Sequence, residues 1–414
     1  MTRVSRQASR LVADTPAIAE AHFRAEAYPY HPRLRRDGWL NLGTAENRLL
    51  ADLHTGQRPP PLGEATTRYA PLYGTAELRE RVAGHLGVDA EDLVVVAGAT
   101  AALDVIASVL CDPGDGIVVP TPYYGAFDTD LAGRSGARLL PAPPDPADGY
   151  GLWPEGVRRV LAQARRAGTV VRAVALASPG NPTGSVHPAA LLRELAAVAA
   201  EFGVDLIADE IYAGSVFEGD FTSLREIDGP RVHTVWGFAK DFGLSGLKAG
   251  VLHTPDPDVR EAARALAYFA PLSTHTQAVL AELLAEPVRV TAFLAENRRR
   301  LGISYERAAG LLRAYGIPYA PARAGCSVWA DLGAWLPPAG ERALWRDILD
   351  GTRVSILPGE AFHAPRPGWF RVCHSLDAAL VAEALTRLGR FLDGKGGPRG
   401  EGRQHTAGTA GSLV

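Results

Sequence analysis

Lysine is nearly missing from this chain of 414 residues. The 43 basic residues are all arginine except three lysines, Lys240, Lys248 and Lys395. Two of the three lie in the stretch "GFAKDFGLSGLKAG" (237–250). Because the chain uses arginine for nearly every positive charge, a lysine that is retained is a candidate for chemistry that needs an amine. Lys240 and Lys248 are therefore the first candidates for a functional site.

Cysteine is also scarce. The chain has three, Cys111, Cys326 and Cys373, and they lie far apart in the sequence. An odd number of distant cysteines is untypical of a disulfide framework or a metal cage. The pattern predicts a reducing compartment, the cytoplasm, and no bound metal.

Long apolar runs and an excess of charge are absent as well. The most apolar stretch, "LVVVAGATAALDVIASVL" (93–110), is interrupted by Gly98, Thr100, Asp104 and Ser108, which favours a strand followed by a helix over a membrane span. The net charge is −3, which gives no electrostatic reason to expect a nucleic acid or a membrane surface as partner.

The chain does contain many short apolar runs rich in Val, Ile and Leu. They lie at 93–98, 116–122, 137–143, 171–179, 204–212, 231–239 and 248–254. Helical patterns separate several of them, such as "PAALLRELAAVAAEFG" (188–203). This alternation predicts an α/β fold whose large domain has three layers, α/β/α, around a mostly parallel sheet.

After about residue 270 the pattern changes to a long helical stretch followed by strands, which predicts a smaller α+β domain. We predict five parts: a flexible N-terminal segment 1–27, an N-terminal part of the small domain 28–44, a large cofactor-binding domain 45–287, a C-terminal part of the small domain 288–392, and a disordered tail 393–414. The tail is Gly-rich and contains Lys395, which removes this lysine from the functional candidates.

Ligands of parallel α/β sheets bind beyond the carboxyl ends of the strands, so the loops there are the places to search. In "GATAAL" (98–103) the backbone N–H groups of Ala99 and Thr100 could meet an anion at the start of a helix. A tight turn that needs small residues explains the same pattern. In "SPGNPTG" (178–184), turn residues bring the amide of Asn181 to the same edge of the sheet.

Two further strand ends carry ionisable side chains. "DEIYAG" (209–214) places Asp209 at a strand end and Tyr212 shortly after it. A carboxylate there is costly unless a cation or several donors meet it. Lys240 follows another strand, and a buried lysine with a lowered pKa is a nucleophile towards an aldehyde. One ligand with an aldehyde, a phosphate and a basic ring nitrogen would satisfy all these loops, and pyridoxal 5′-phosphate has the three groups.

Nine motifs follow one another along the chain: "YPYHP" (28–32), "NLGTAEN" (41–47), "YGTAELR" (73–79), "DPGDGIVVPTPYYGAFDTDL" (112–131), "SPGNPTG" (178–184), "DEIY" (209–212), "KDFGLSG" (240–246), "FLAENRRRL" (293–301) and "PGWFRVC" (367–373). In their order and spacing, residues 28 to 392 resemble the fold-type I pyridoxal-phosphate enzymes of the class I/II aminotransferase family. The resemblance is greatest to the 1-aminocyclopropane-1-carboxylate synthase branch. It implies an aspartate aminotransferase-like fold and a homodimer with shared active sites.

The resemblance also implies a role for each candidate. Lys240 would bind the cofactor aldehyde and move protons, Asp209 would pair with the ring nitrogen, and Tyr212 and Asn181 would hydrogen-bond the 3′-oxygen of the ring. The remaining implied roles are ring stacking and substrate contact by Tyr124, phosphate binding by Ala99 and Thr100, phosphate contact from a second subunit by Tyr69 or Tyr73, and binding of the substrate α-carboxylate by Arg371 and Asn181.

The sequence departs from the family pattern at the phosphate. Lys248 stands where the family usually has an arginine, and Gly237 and Ala239 stand where it tends to have serines. Lysine keeps the positive charge but not the planar fork. We therefore expect weaker cofactor retention, or a water or another side chain in the gap.

Two departures bear on the substrate. Leu72 occupies the place of a tyrosine of the branch, with Tyr73 one step away, and His374 follows "FRVC" where an apolar residue is usual. His374 is therefore a candidate for substrate contact close to Arg371. Both departures suggest a different substrate or a different fate of the common intermediate.

Glu46, the tyrosine pair 123–124 and "PGWFRVC" favour the synthase branch, in which a glutamate lies near the sulfonium of S-adenosylmethionine. An ordinary exposed or capping carboxylate is the other explanation of Glu46. We predict an enzyme of specialised metabolism that acts on an α-amino acid with a leaving group at Cγ, by elimination or replacement through a quinonoid.

Three other functions stay open. One is an aminotransferase for an amino acid or an amino sugar-acid intermediate, and another is an oxygen-using oxidase or decarboxylase. The last is a non-enzymatic protein on a retired fold, which the presence of Lys240, Asp209, Tyr212, Asn181 and Arg371 disfavours.

Overall fold

The computed structural model describes residues 17–55, 59–229 and 231–396, with residues 3–5, 8, 9 and 12 before them. Strand β1 (Leu40–Asn41) lies outside the main sheet. The strands of the main sheet are β2 (Leu93–Val96), β3 (Gly116–Pro120), β4 (Arg138–Ala142), β5 (Val171–Ala177), β6 (Asp205–Asp209), β7 (Val232–Gly237) and β8 (Gly250–His253). They form one seven-stranded sheet in the order β2-β8-β7-β6-β5-β3-β4.

The sheet is mostly parallel, since β8 is antiparallel to both of its neighbours and the other pairs are parallel. Every residue of β2, β6 and β7 is buried, as expected for strands with helices on both faces. The carboxyl ends of β3, β5, β6 and β7 lie at one edge of the sheet, where ligands of such sheets bind. The predicted α/β class and mostly parallel sheet are confirmed.

The helices described before residue 287 are α1 (Ala17–Ala27), α2 (Glu64–Thr67), α3 (Ala76–Leu86), α4 (Ala99–Leu110), α5 (Phe127–Asp130), α6 (Pro154–Arg166), α7 (Ala189–Phe202), α8 (Pro257–Leu266) and α9 (Thr274–Leu283). Helix α4 packs Leu103 and Ile106 into one core of the sheet. Helices α6 and α7 pack Leu161 and Leu195 into a separate core. Two separate cores on one sheet give the predicted three layers.

Helix α7 shows how the sequence produces this packing. Leu192, Leu195 and Val198 recur at helical spacing and are buried. Each contributes about 1.5–3 kcal/mol by leaving water. Gly203 then ends the helix with φ 69°, the left-handed conformation that glycine adopts without a steric cost.

The small domain is built on an antiparallel sheet in the order β12-β13-β10-β9. Its strands are β9 (Tyr319–Ala320), β10 (Ser327–Asp331), β12 (Leu357–Pro358) and β13 (Trp369–Cys373), and β11 (Val354–Ser355) pairs in parallel with β1. Helices α10 (Pro287–Ala314), α11 (Glu341–Thr352) and α12 (Ala378–Gly394) accompany the strands.

Helix α10 belongs to two cores. Near its start, Val290 and Leu294 pack with residues of the large domain. Further along, Leu301 and Tyr305 pack in the core of the small domain. This helix of 28 residues therefore joins the two domains without interruption.

The ends of the chain differ from the prediction. Residues 17–27, predicted to be flexible, form helix α1, whose Ala21 and Ala25 are buried in the core of the small domain. Helix α12 continues to Gly394, and Lys395 pairs with Asp347 at 2.7 Å. The rest of the predicted tail, 397–414, lies outside the described residues. Within the described part of the chain, no helix is both long enough and apolar enough to cross a membrane.

Candidate active site

Lys240 lies in the loop after β7, beyond the carboxyl edge of the sheet. Its Nζ donates a hydrogen bond to the carbonyl oxygen of Ala45. Burial lowers the pKa of Lys240 from its ordinary value. A lysine in this environment is more often the neutral amine, which is the form that attacks an aldehyde.

Asp209 is the last residue of β6, and its side chain is buried. The Ile211 N–H donates to its Oδ1 at 3.3 Å, and no basic side chain among the described residues forms an ion pair with it. Burial raises the pKa of Asp209 to about 7. A buried carboxylate with so little compensation fits a ligand that brings a cationic N–H.

Two tyrosines, Tyr124 and Tyr212, lie near the charged side chains of the site. Tyr212 is buried, and burial raises its pKa. Burial also raises the pKa of Tyr124, the carboxylates of Asp130 and Asp209 raise it further, and Arg371 lowers it. The charges of both Asp209 and Arg371 affect the pKa of Tyr124, so the three side chains belong to the same part of the site.

Arg371, in β13, is buried, with 5% of its surface exposed. Its Nη1 donates to Asn181 Oδ1 at 3.0 Å, and its Nη2 donates to the carbonyl oxygen of Gly43 at 2.7 Å. Its Nε is buried without a hydrogen-bond partner, and its guanidinium lies over the Phe362 ring at 4.8 Å. A buried fork without a carboxylate partner among the described residues fits the carboxylate of a ligand.

The start of α4 forms an anion-binding corner. Gly98, with φ 97°, precedes the helix and leaves its first N–H groups without a side-chain cap. A Cβ atom on Gly98 would lie 3.8 Å from Lys248 Nζ, so the ammonium of Lys248 lies beside these N–H groups. Ala99 and Thr100 are the first two residues of the helix. Helix N-termini with a nearby cation bind phosphate.

Gly237, the position of an expected serine, is explained by close packing. A Cβ atom there would lie 2.7 Å from the carbonyl oxygen of Ala249, closer than a real Cβ approaches an oxygen. A serine at this position would force the backbone apart. The phosphate corner therefore has one fewer hydroxyl because two strand ends come together.

Asp130 lies at the same corner and was missed in the sequence. Thr100 Oγ1 donates to its Oδ2 at 3.2 Å, and burial raises its pKa to about 6. Lys248 counters part of this rise. The spacing of "FDTDL" carries no signal that would place this carboxylate beside Thr100.

Glu46 lies near Lys240, since it follows Ala45, whose carbonyl oxygen accepts the hydrogen bond from Lys240 Nζ. Its charge raises the pKa of Lys240 against the effect of burial. Its Oε2 accepts a hydrogen bond from Arg48 Nε at 2.5 Å. The Glu46 backbone is fixed as well, since Ser375 Oγ donates to its carbonyl oxygen at 2.7 Å. The carboxylate is therefore close to the reactive amine but engaged by a neighbouring arginine.

The structure does not bring Tyr69 or Tyr73 to the site of the same chain. Tyr69 is fully exposed. Tyr73 lies between Arg79 and Arg264, whose guanidinium carbons are 5.1 and 4.4 Å from its ring centre. A contact of Tyr69 with a second subunit stays a prediction, while Tyr73 already has two cationic partners.

The prediction for His374 needs correction. Its side chain is fully buried and packs edge-on against Tyr305, with a ring-centre distance of 5.9 Å. Neither ring nitrogen has a hydrogen-bond partner, and burial lowers its pKa to about 3. Alternation along β13 puts Cys373 on the face of Arg371. His374 follows directly after the strand, so the same alternation continued by one residue puts it on the opposite face.

Two thiols surround the amine of Lys240 and were not predicted. Cys326 and Cys373 are buried, and both influence the charge of Lys240. Burial, with the neighbouring Cys373, raises the pKa of Cys326 to about 12. Burial therefore favours the neutral thiol at Cys326, and both cysteines belong to the buried surroundings of Lys240.

Together these residues fit pyridoxal 5′-phosphate. The Lys240 amine, whose pKa is lowered by burial, would bind the aldehyde. The buried Asp209 carboxylate would hold the ring nitrogen, and the uncapped start of α4 with Lys248 would hold the phosphate. The free Nε of Arg371 leaves a position for the carboxylate of a substrate. The arrangement can therefore hold an amino acid between a cofactor and a guanidinium.

The comparisons with known proteins agree with this fit. The sequence model of the family Aminotransferase class I and II matches residues 38–388. The 1-aminocyclopropane-1-carboxylate synthase 6 of Oryza sativa subsp. japonica is 33% identical over 387 residues, which cover 84% of this chain and 71% of the relative. A synthase of the same name from Arabidopsis thaliana is 32% identical over 398 residues, covering 88% of this chain and 80% of the relative.

Among solved structures, the aspartate aminotransferase from Thermus thermophilus with maleate superposes with a TM-score of 0.81. It is 26% identical, and the match covers 94% of this chain and 100% of that one.

Proposed function

Since the chain belongs to the class I and II aminotransferase family, we propose that it catalyses elimination or replacement at Cγ of an α-amino acid, with S-adenosylmethionine as the first candidate substrate. Its cofactor is pyridoxal 5′-phosphate, and it is an enzyme of the lyase or transferase type. The observation that carries the proposal is the buried Arg371 fork with a free Nε, next to a loop that also holds the Lys240 amine.

The residues of the chain have separate tasks in this reaction. Pyridoxal phosphate supplies the electron sink that stabilises a carbanion at Cα. Arg371 binds the α-carboxylate of the substrate, and Asn181 holds one arm of its fork in place. Lys240 takes the proton from Cα, because burial lowers the pKa of its amine and so favours the neutral form, which can accept a proton. Asp209 holds a proton on the ring nitrogen of the cofactor.

The preference for a Cγ leaving group rests on the synthase relatives and on charge. Glu46 follows Ala45, whose carbonyl oxygen accepts the hydrogen bond from the Lys240 amine, and its carboxylate would attract a sulfonium and repel the second carboxylate of a dicarboxylic substrate. A positively charged side chain is therefore favoured over a negatively charged one.

A second candidate is an aminotransferase for an amino acid or an amino sugar-acid intermediate. Its support is the hydrogen bond from Arg48 to Glu46, which occupies the carboxylate that the first proposal needs. Arg48 is half exposed, so a bound sulfonium can compete with it in water.

We also propose a homodimer. The segment with the exposed Leu62 and Tyr69 lies beside the segment with the exposed Tyr268 and Phe269, and the Thr274 hydroxyl bonds the Thr66 carbonyl oxygen between them. Apolar and aromatic side chains exposed together are typical of an interface. Location in the cytoplasm stays a prediction from the three cysteines.

The decisive experiment incubates the cofactor-loaded enzyme with S-adenosylmethionine, and separately with common amino acids, without any keto acid. We expect release of methylthioadenosine with the cofactor still in its aldehyde form, read by mass spectrometry. Glu46→Gln, which keeps the shape and removes the charge, should raise the KM for S-adenosylmethionine and leave the binding of uncharged amino acids unchanged. Conversion to pyridoxamine phosphate without sulfonium cleavage would instead establish the aminotransferase.

A further inference from the structure

Helix α10 places a fully buried polar side chain, Asn297, between its two apolar parts. Asn297 lies between Leu294, in a core of the large domain, and Leu301, in the core of the small domain. Its Oδ1 accepts a hydrogen bond from Asn47 Nδ2 at 2.8 Å. A buried amide between two apolar regions is costly unless it is bonded, so its partners are informative.

On one side, Asn297 is connected to Lys240 through hydrogen bonds of Asn47. Asn47 Nδ2 donates both to Asn297 and to the main-chain carbonyl oxygen of Lys240, at 2.9 Å. The two hydrogens of one amide nitrogen are used, and Asn47 Oδ1 accepts from the Leu49 N–H at 3.2 Å. Asn47 therefore has no freedom to turn without breaking a bond.

On the other side, Asn297 is connected through Ser215 to Asp241, the residue after Lys240. Asn297 Nδ2 lies 3.4 Å from Ser215 Oγ, and Ser215 Oγ donates to Asp241 Oδ1 at 2.6 Å. The Gly214 N–H donates to Asp241 Oδ2 at 2.8 Å. A Cβ atom on Gly214 would lie 2.9 Å from the Asp241 carboxylate, so the two loops are in close contact.

The two paths close into a ring around one peptide bond. They begin at Asn297 and end on the carbonyl oxygen of Lys240 and on the carboxylate of Asp241. The side chains of Asn47, Asn297, Ser215 and Asp241 are each at most 2% exposed. Water therefore does not compete for these bonds, and a buried, fully connected network holds its members in a single arrangement.

We propose that Asn47, Asn297, Ser215 and Asp241 are positioning residues that fix the main chain of Lys240 on helix α10, and through it the direction of the amine. The inference rests on the role proposed above for Lys240. None of the four is among the residues proposed above to hold the substrate or the cofactor, so we expect them to act through Lys240. The protonation behaviour of the Lys240 nitrogen should therefore depend on them.

The chain offers a matched control for a merely structural role. Ser223 is a fully buried serine whose hydroxyl donates to the buried carboxylate of Glu210, at 2.7 and 2.8 Å, as Ser215 does to Asp241. No hydrogen bond joins Ser223 to Lys240. Ser215→Ala and Ser223→Ala remove the same atom from similar surroundings, so their effects on stability should be similar.

The test follows the visible absorbance of the cofactor-loaded enzyme as a function of pH, because the midpoint of its change reports the proton on the Lys240 nitrogen. We expect Ser215→Ala to move this midpoint by about 0.5 to 1 pH unit, while Ser223→Ala leaves it at the wild-type value. Unfolding in urea should show a similar loss of stability in both variants. The inference fails if both variants keep the wild-type midpoint.

Two further variants separate the possible failures. Asn297→Asp keeps the acceptor for Asn47 and removes the donor to Ser215, so it should move the midpoint even if Ser215→Ala does not fold. Lys240→Ala should abolish the pH-dependent band. If the band persists in Lys240→Ala, the proposed role of Lys240 fails. If it disappears while Ser215→Ala and Asn297→Asp behave as wild type, only this inference fails.

Discussion

Asp209 and Glu210 are adjacent in the chain and both are buried, but their carboxylates differ in the number of hydrogen-bond donors that they contact. Glu210 accepts hydrogen bonds from the Ser223 hydroxyl, from the Leu224 N–H at 2.8 Å and from Arg225 Nη1 at 3.2 Å. The Glu210 carboxyl group therefore has several hydrogen-bond donors around it.

Asp209 accepts a hydrogen bond from the Ile211 N–H, at 3.3 Å. Burial raises the pKa of Asp209 and of Glu210 to about 7, so burial alone does not separate them. What separates them is the supply of donors. A buried carboxylate with a full set of donors holds the fold together, and one without them leaves room for a ligand.

Substitution of Asp209 should have the largest effect. Asp209→Asn removes the charge that holds a proton on the cofactor ring, so kcat should fall about a thousandfold, or about 4 kcal/mol. The cofactor-free protein should be at least as stable as the wild type at pH 8, because an unpaired buried charge is removed. Steady-state kinetics and urea unfolding check the two parts. Retained activity would remove Asp209 from the site.

Substitution of its neighbour should do the opposite. Glu210→Ala leaves the Ser223 hydroxyl, the Leu224 N–H and Arg225 without their acceptor, and the free energy of unfolding should fall by about 3 kcal/mol. Protein that remains folded should still bind the cofactor, as measured by visible absorbance. Equal stability of Glu210→Ala and the wild type would show that the hydrogen bonds to Glu210 do not stabilise the fold.

The same contrast applies to two arginines. Arg225 already has a carboxylate partner in Glu210, and Arg371 has none among the described residues. Arg371→Ala should lower kcat/KM for α-amino acids about a hundredfold, or about 2.7 kcal/mol. Arg225→Ala should lower stability and leave the KM unchanged. An unaltered KM in Arg371→Ala would argue against carboxylate binding there.

The pH dependence of stability gives the smallest effect at any one step of the measurement, because it is spread over about three pH units. The folded-state pKa of Asp209 is raised above its unfolded value, so its contribution to stability is full below about pH 4 and is lost as the pH rises through about 7. Within this window Asp209→Asn should flatten the stability curve of the cofactor-free protein by up to about 1.4 kcal/mol per pH unit. Urea unfolding between pH 4 and 8 measures it, and identical slopes would mean that Asp209 does not titrate there.

Local pattern was sufficient for much of the fold and for the main candidates. Buried strands alternating with helices predict a parallel sheet, and its carboxyl edge is where Asp209, Asn181 and Lys240 are found. Alternation along β13 would also have placed His374 on the face opposite Arg371, but the prediction considered only its nearness in sequence.

Other features depend on contacts between distant parts of the chain. The Asn47 and Asn297 amides are 250 positions apart, and Arg371 and the Gly43 carbonyl are 328 positions apart. No local periodicity reports such pairs. Helix α1 was missed for a different reason: its sequence "AIAEAHFRAEA" is rich in alanine, a strong helix former, but it was considered together with the basic segment before it.

The unbroken helix α10 has a mechanical consequence. Its 28 residues form a rod about 42 Å long, with one end set in each domain. Asn297 lies where the helix passes from the core of the large domain to the core of the small domain, so it would be the pivot of a tilt between the two domains. A tilt of the small domain by about 5° would move the C-terminal end of the helix, at Ala314, by about 2 Å and hardly displace Asn297. Such a tilt would change the position of Arg371 in β13 relative to the amine of Lys240, because the two lie on different sides of Asn297.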